Sequence, residues 1–381
     1  MTSELRLLIR RRDRLYDRMK KARRNISTHM KSSRLETRYK KLKHEVQRKI
    51  RSAYFDYISS VITPQDGSGT PTKTFWSMVK RLRTDNVGIS AIKNSDTGQL
   101  MTDAVGKANT LNKQFQSVFT NETPLTEAHE HPQEFPDIPY LKFNSSGVQK
   151  LLENLDPRKA YGPDLLPPRV LKELAPILAP ALTKIYNKSY STGVVPDDWR
   201  SANVTSAFKK GKKTLPVNYR PISLTCIACK LYEHCMTKHV MQHCEAHDIL
   251  YPLQHGFRSK LSCETQLVEF FHDISNNTRN NHQTDVLVMD FAKALDKVGH
   301  KRLLKKLSRY GINGPTANWI RQFLANRTQR VVVDGDFSDV APVTSGVPQG
   351  SVLGPCLFLL YINDLAESLD SKVRLFVDDT K

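Results

Sequence analysis

Two separated stretches decide the fold: residues 286–290 read VLVMD and residues 374–379 read RLFVDD. In each, an apolar run suited to a buried strand ends in aspartate, Asp290 in the first and Asp378–Asp379 in the second. Neighbouring carboxylates repel one another, so a cation usually sits near such a pair. If the strands lie side by side, three carboxylates converge at one sheet edge. That is a hard-oxygen donor set for Mg²⁺, which takes few protein carboxylates and fills its octahedron with water and phosphate oxygens. Two ions about 3.5–4 Å apart would activate a 3′-hydroxyl and stabilise a leaving pyrophosphate. Either stretch alone is weak evidence, since aspartates at strand ends are common and a solvated turn explains them as well.

Between the strands lies TSGVPQGSVLGPCLFLLYINDL (344–365), with Gly346, Gly350 and Gly354 beside Pro348 and Pro355. Such a loop lets backbone approach a ligand closely. Gln349 offers both a donor and an acceptor to a sugar or base. The apolar stretch behind it reads as a helix packed under the loop. From residue 145 the texture is mixed α/β. VQKLLENL is a short helix and DPRKAYGPDLLPP a loop. Helical surface follows, interrupted by Pro176 and Pro180. KRLLKKLSRYGI is a helix closed by Gly311, and RVVVDGDFSDV a hairpin turning at Asp334–Gly335.

The chain of 381 residues carries 58 Lys and Arg against 38 Asp and Glu, a net charge of +20. Residues 1–60 hold 19 of the basic and 6 of the acidic side chains, so +13 of that excess sits in one sixth of the chain. A charge concentrated this way suits a polyanion, because each neutralised phosphate releases counterions; an acidic membrane surface is the competing partner. No apolar run approaches the roughly 18–20 residues that span a bilayer. The N-terminus has no signal-peptide core, and six cysteines without one read as reduced thiols. These features place the protein inside the cell, in nucleus, cytoplasm or both. Leu5, Leu8, Ile9, Leu15, Tyr16 and Met19 share one helical face, as do Leu35, Tyr39, Leu42, Val46, Ile50, Tyr54 and Tyr57. Residues 1–63 are therefore a pair of basic amphipathic helices suited to nucleic acid, closed by Pro64 and DGSGTP. A shorter unit, 64–144, holds two further helices, FWSMVKRL and KANTLNKQFQSVF, and an irregular connection over 121–141.

Five blocks occur in a fixed order: NYRPISL (218–224), QHGFRSKLSCETQL (254–267), VLVMDFAKALDKVGHKRLL (286–304), SGVPQGSVLGPCLFLLYINDL (345–365) and FVDD (376–379). Together they closely resemble the reverse transcriptases of non-LTR (LINE-type, jockey/CR1-like) retrotransposons, over residues 145–381. The resemblance implies an α/β (α+β) right-hand polymerase with fingers and a partial palm, preceded by the basic helices. It implies RNA-directed DNA synthesis from dNTPs on an RNA template and DNA primer, with two Mg²⁺ ions for which Mn²⁺ can substitute. Asp290 and Asp378 would be the principal metal ligands and Asp379 the supporting one. Gln349 and Gly350 would line the incoming nucleotide, and Arg258 would reach its triphosphate. Arg220 would brace the fingers or touch template, along which Lys209, Lys210, Lys212 and Lys213 would lie.

The chain departs from that pattern in three places. Leu295 stands where an aromatic gate against the 2′-hydroxyl is usual, Gly299 replaces a carboxylate, and Val377 replaces alanine. A carboxylate pair at a hairpin turn needs a returning strand, and here the chain stops. The reading is therefore of a polymerase truncated at its catalytic turn, with a weakly held strand, no thumb and little activity. Endonuclease or thumb portions of the same element would be its partners. The alternative is a non-catalytic RNA-binding remnant of a retroelement polyprotein; a third is a product that does not fold by itself. Cys226, Cys229, His239 and His243 mimic a zinc site, but one helix cannot turn all four onto one ion.

Overall fold

The computed structural model describes residues 3–23, 29–62, 88–123, 132–367 and 369–380. They fall in two compact units, Met1–Val87 and Gly88–Lys381. The first holds helices α1 (Ser3–Arg23) and α2 (His29–Ile62). Glu4 pairs with Lys49 and the Tyr16 and Tyr39 rings lie 5.3 Å apart, so the helices run antiparallel. Leu5, Met19 and Val46 are buried between them, while the arginines and lysines stay largely exposed. The anticipated linker DGSGTP and helix FWSMVKRL lie outside the described residues, as does the middle of the 121–141 connection.

The second unit opens with the paired strands β1 (Ile92–Lys93) and β2 (Leu100–Met101) and helix α3 (Ala104–Gln116). Asp103 caps α3 by accepting the Gly106 N–H at 2.6 Å. The next helices are α4 (Ser145–Glu153), α5 (Pro168–Glu173), α6 (Ala175–Thr192) and the single turn α7 (Asp197–Arg200). Strands β3 (Ser201–Phe208) and β4 (Tyr219–Leu224) precede α8 (Ile227–Ala246) and α9 (Cys263–Arg279). After β5 (Met289–Asp290) come α10 (His300–Arg309) and α11 (Gly314–Leu324). Strands β6 (Arg327–Val333), β7 (Asp336–Phe337) and β8 (Ala341–Val343), helix α12 (Leu353–Ile362) and strands β9 (Leu375–Phe376) and β10 (Asp379–Thr380) complete it. The unit is therefore a mixed α/β structure.

Strands β4, β3, β6 and β7 lie in that order, with β8 also on β6; β3 and β6 are parallel and the other pairs antiparallel. The β6–β7 hairpin turns at Asp334–Gly335, as its sequence leads one to expect. Helix α3 lies on this sheet, burying Leu111 and Phe115 with Val204, Tyr219 and Val331. The larger core is rich in aromatic rings from α6, α8 and α11. Trp319 stacks 4.2 Å from Tyr232 and 5.1 Å from Phe323, and its indole N–H donates to Ser189 Oγ at 3.0 Å. That bond lets a ring with a polar atom be fully buried. Helix α12, apolar all round, is buried beneath the glycine-rich loop.

Three expectations need correction. The run VLVMD is not a buried strand. Only Met289–Asp290 pairs, and Val286, Leu287, Val288 and Met289 are 46%, 69%, 65% and 47% exposed. The cause is position: β5 is the edge of the sheet β5–β10–β9 and has a strand on one side only. Nor is the aspartate-bearing turn left without a returning strand. The chain turns at Val377–Asp378 and returns as β10, which pairs with β9 on one side and β5 on the other. Pro180 does not interrupt the helical surface, because α6 absorbs it; the break expected at Pro176 is present, since α5 ends at Glu173 and Pro176 lies in the first turn of α6. Val170 and Leu171 belong to the separate helix α5.

Candidate functional site

The register of the three-stranded sheet creates the site. Asp379 stands directly opposite Asp290 across β10 and β5, and Thr380 opposite Met289. Directly opposed residues of an antiparallel ladder share a face. Asp378 sits just before them in the turn, whose Val377 takes a left-handed φ of 59°. Gln254 secures that turn, its Oε1 accepting the N–H of Val377 at 3.0 Å. The His255 N–H donates to the Leu375 carbonyl, also at 3.0 Å. Buried Gln266 of α9 donates from Nε2 to that same carbonyl.

The carboxylates floor a groove of about 610 Å³. Of the residues singled out from sequence, Lys209, Lys210, Arg220, Asp290, Leu295, Gln349, Asp378 and Asp379 line it. Basic side chains from the β3–β4 region thus face an acidic floor. Lys293, which sequence reading passed over, adds another cation from a left-handed position (φ 57°) just after the Asp290 strand.

Four of the anticipated residues sit elsewhere. Arg258 turns inward, donating from Nη1 to the Tyr251 carbonyl at 3.0 Å. Lys212 and Lys213 act through their main chains, whose carbonyls accept from Asn218 Nδ2 at 2.9 Å and the Tyr219 hydroxyl at 2.7 Å. The Lys213 ammonium lies over the Phe208 ring. Gly350 does not line the groove either. It presses the loop onto β4, where the Gln349 carbonyl accepts the Ser223 N–H at 2.6 Å.

Two buried carboxylates hold that loop. Glu233, fully buried on α8, accepts the N–H groups of Val352 (2.7 Å) and Leu353 (3.0 Å) at the start of α12. Burial pushes its carboxyl up, opposed by those N–H groups and by the Arg327 charge. Asp296 accepts Gln349 Nε2 at 2.8 Å, and burial pushes its carboxyl up too. The signal for Glu233 was in the sequence: it falls at helical spacing with Cys229, Met236 and Val240, all buried.

The donor set at Asp290, Asp378 and Asp379 is of the right kind for Mg²⁺, and strand pairing sets Asp379 opposite Asp290. Among the described residues, however, no three His, Cys, Asp or Glu side chains are gathered closely enough to hold an ion as they stand. The zinc mimic fails for the anticipated reason. Its residues lie along α8, His239 and His243 each bond a main-chain carbonyl, and burial pushes the Cys226 thiol up to about 12.

Residues 208–381 match the family described as reverse transcriptase (RNA-dependent DNA polymerase). The chain carries a domain of that family. Its curated relatives are polymerases and polyproteins of mobile and retrotransposable elements. The RNA-directed DNA polymerase from mobile element jockey of Drosophila melanogaster is 28% identical over 81% of this chain and 35% of its own length. The probable RNA-directed DNA polymerase from transposon X-element of the same fly is 29% identical over 64% of this chain and 27% of its own. The Pol polyprotein from type-1 retrotransposable element R2 of Popillia japonica is 29% identical over 47% of this chain and 25% of its own. The chain thus spans about a third or less of the length of these curated relatives.

Proposed function

We propose that this chain extends a DNA primer on an RNA template, joining the primer 3′-oxygen to the α-phosphorus of a dNTP with release of pyrophosphate. The observation that carries this reading is the register that sets Asp379 against Asp290 under a groove walled by Lys209, Lys210 and Arg220. In this reading the β5–β10–β9 sheet is palm and the basic β3–β4 wall belongs to the fingers. Asp290, Asp378 and Asp379 would hold two Mg²⁺ ions, which supply activation of the 3′-hydroxyl and neutralise developing phosphate charge. The chain's own groups do the positioning. Lys209, Lys210 and Arg220 attract the nucleic-acid and triphosphate charge into the groove. Gln349 offers an amide to the nucleotide, and Leu295 closes the sugar side of the site. The helices of the first unit add a salt-sensitive hold on the nucleic-acid backbone.

Primer extension with RNA template, DNA primer, dNTPs and Mg²⁺ tests this, with Asp290→Asn and Asp378→Asn as controls. Extension lost in both controls is expected, and extension retained in either refutes the assignment. A second reading, RNA binding without chemistry, is favoured by the inward turn of Arg258 and the carboxylates not gathered into a cage. It predicts no extension and RNA affinity unchanged by Asp290→Ala.

A further inference from the structure

Gln349 is the polar side chain of the groove whose orientation matters most, because its two amide atoms are opposite in hydrogen-bonding sense. Its main chain is fixed by the Ser223 N–H on its carbonyl at 2.6 Å. Only the amide remains to be set, and it reaches behind the groove to Asp296, a residue 8% exposed in the turn Ala294–Lys297. Asp296 Oδ1 accepts Gln349 Nε2 at 2.8 Å, while its Oδ2 is buried with no partner among the described residues. The turn and the loop are also laced together at three points. Ser345 Oγ donates to the Asp296 carbonyl, the Val347 N–H to the Leu295 carbonyl and the Gly346 N–H to the Val298 carbonyl, each at 2.8 Å. Asp296 therefore cannot slide relative to Gln349.

We propose that Asp296 is the positioning residue for Gln349: its carboxylate holds the amide by Nε2 and leaves Oε1 for a hydrogen-bond donor on the bound nucleotide. This rests on the reading of the groove as a nucleotide site. An ionised carboxylate accepts and does not donate, so it selects one of the two amide orientations, which an apolar side chain cannot do and an amide does only in part. Among the described residues Oε1 has no other partner. Packing alone gives no reason for a carboxylate here, since an orphaned buried oxygen is destabilising.

The test is a double-mutant cycle on the KM for dNTP in primer extension by the full chain. Asp296→Leu should raise KM about tenfold with kcat little changed, the loss expected for one hydrogen bond to a charged group. Gln349→Ala should do the same, and the double variant should be no worse than Gln349→Ala alone, because the two act as one unit. Asp296→Asn, which keeps an acceptor and the side-chain shape, should recover part of the loss. Additive effects, or an Asp296→Asn variant as impaired as Asp296→Leu, would overturn the proposal. A second measurement does not need catalysis. With ¹⁵N-glutamine labelling, the side-chain NH₂ signal that disappears in Gln349→Ala should exchange slowly in the wild type and rapidly in Asp296→Leu. Rapid exchange in the wild type overturns the proposal, whereas slow exchange in a chain that extends no primer would refute the polymerase reading alone.

Discussion

Replacing Gly350 with alanine puts a methyl group where the glycine-rich loop is pressed against β4. The residue has φ +108°, and an added Cβ would stand 2.7 Å from the Ser223 carbonyl oxygen and 3.4 Å from its nitrogen. The obstacle is main chain, not the end of a flexible side chain. Ser223 pairs with Val204 on β3, and Val204 is fully buried under α3, so β4 cannot withdraw without disturbing the second core. Forcing an L-residue into such a backbone conformation costs about 1–3 kcal/mol. Overpacking of a fixed neighbour typically costs about 1–3 kcal/mol. Both draw on the same strain and will not add fully, so about 2–4 kcal/mol is expected, a large share of the roughly 5–15 kcal/mol by which domains are stable. Urea unfolding followed by tryptophan fluorescence reads this directly. Gly314→Ala is the control, because Gly314 also has a positive φ (+57°) but meets nothing within 4 Å. The difference between the variants isolates the contact with Ser223. If Gly350→Ala is no more destabilising than Gly314→Ala, the loop moves freely off β4 and the account of how Gln349 is held is wrong.

Glu233 makes a pH-dependent prediction. Burial raises its folded pKa above the ordinary 4.5, so folding favours the protonated form, and that stabilisation is lost as pH rises from about 4.5 through the raised value. Glu233→Gln removes the titration, so wild type should lose stability relative to the variant over that interval; parallel stability curves would refute it. The thiols should react in order of exposure. Cys263 is exposed and should modify rapidly, Cys235 slowly, and Cys226, Cys229, Cys244 and Cys356 only on unfolding. Burial raises the last four, Cys226 and Cys244 to about 12. Release of stoichiometric zinc during that titration would contradict the structure of α8. Charge reversal at Arg10, Arg11 and Arg14 of α1 should weaken RNA binding and flatten its salt dependence by about 0.7–0.9 for each phosphate no longer neutralised. An unchanged slope would remove α1 from the interface.

How far the sequence was legible depends on what each signal encodes. Turn chemistry and helical periodicity are local, so the Asp334–Gly335 hairpin, the two basic helices and the apolar α12 could be read before any packing was known. That the two aspartate-ended stretches meet in one sheet could be anticipated, though not the route by which they meet. β10, two residues long, was too short to register as a strand, yet it is β10 and not β9 that lies against β5. No periodicity can announce a two-residue strand, because its existence depends on neighbours contributed from residues 289 and 375. Arg258 lies away from the groove for a related reason: its guanidinium donates to a main-chain carbonyl seven residues earlier.

The run VLVM shows the same limit from the other side. An apolar β-branched stretch says that a segment would be stable if covered; it does not say what covers it. Burial is a property of the pair, so Val286 to Met289 lie exposed, Met289 alone of them at a sheet edge, although their residue types favour the interior. Asp296 and Glu233 are the converse. Their residue types favour solvent, and each is buried because it meets N–H groups of the glycine-rich loop or of the helix start behind it: Gln349 in one case, Val352 and Leu353 in the other. Residues that contradict their own solvation preference are therefore where the site's rigidity is found. Here both converge on a single loop, which makes that loop, rather than the strand ends alone, the part of the groove most exactingly built.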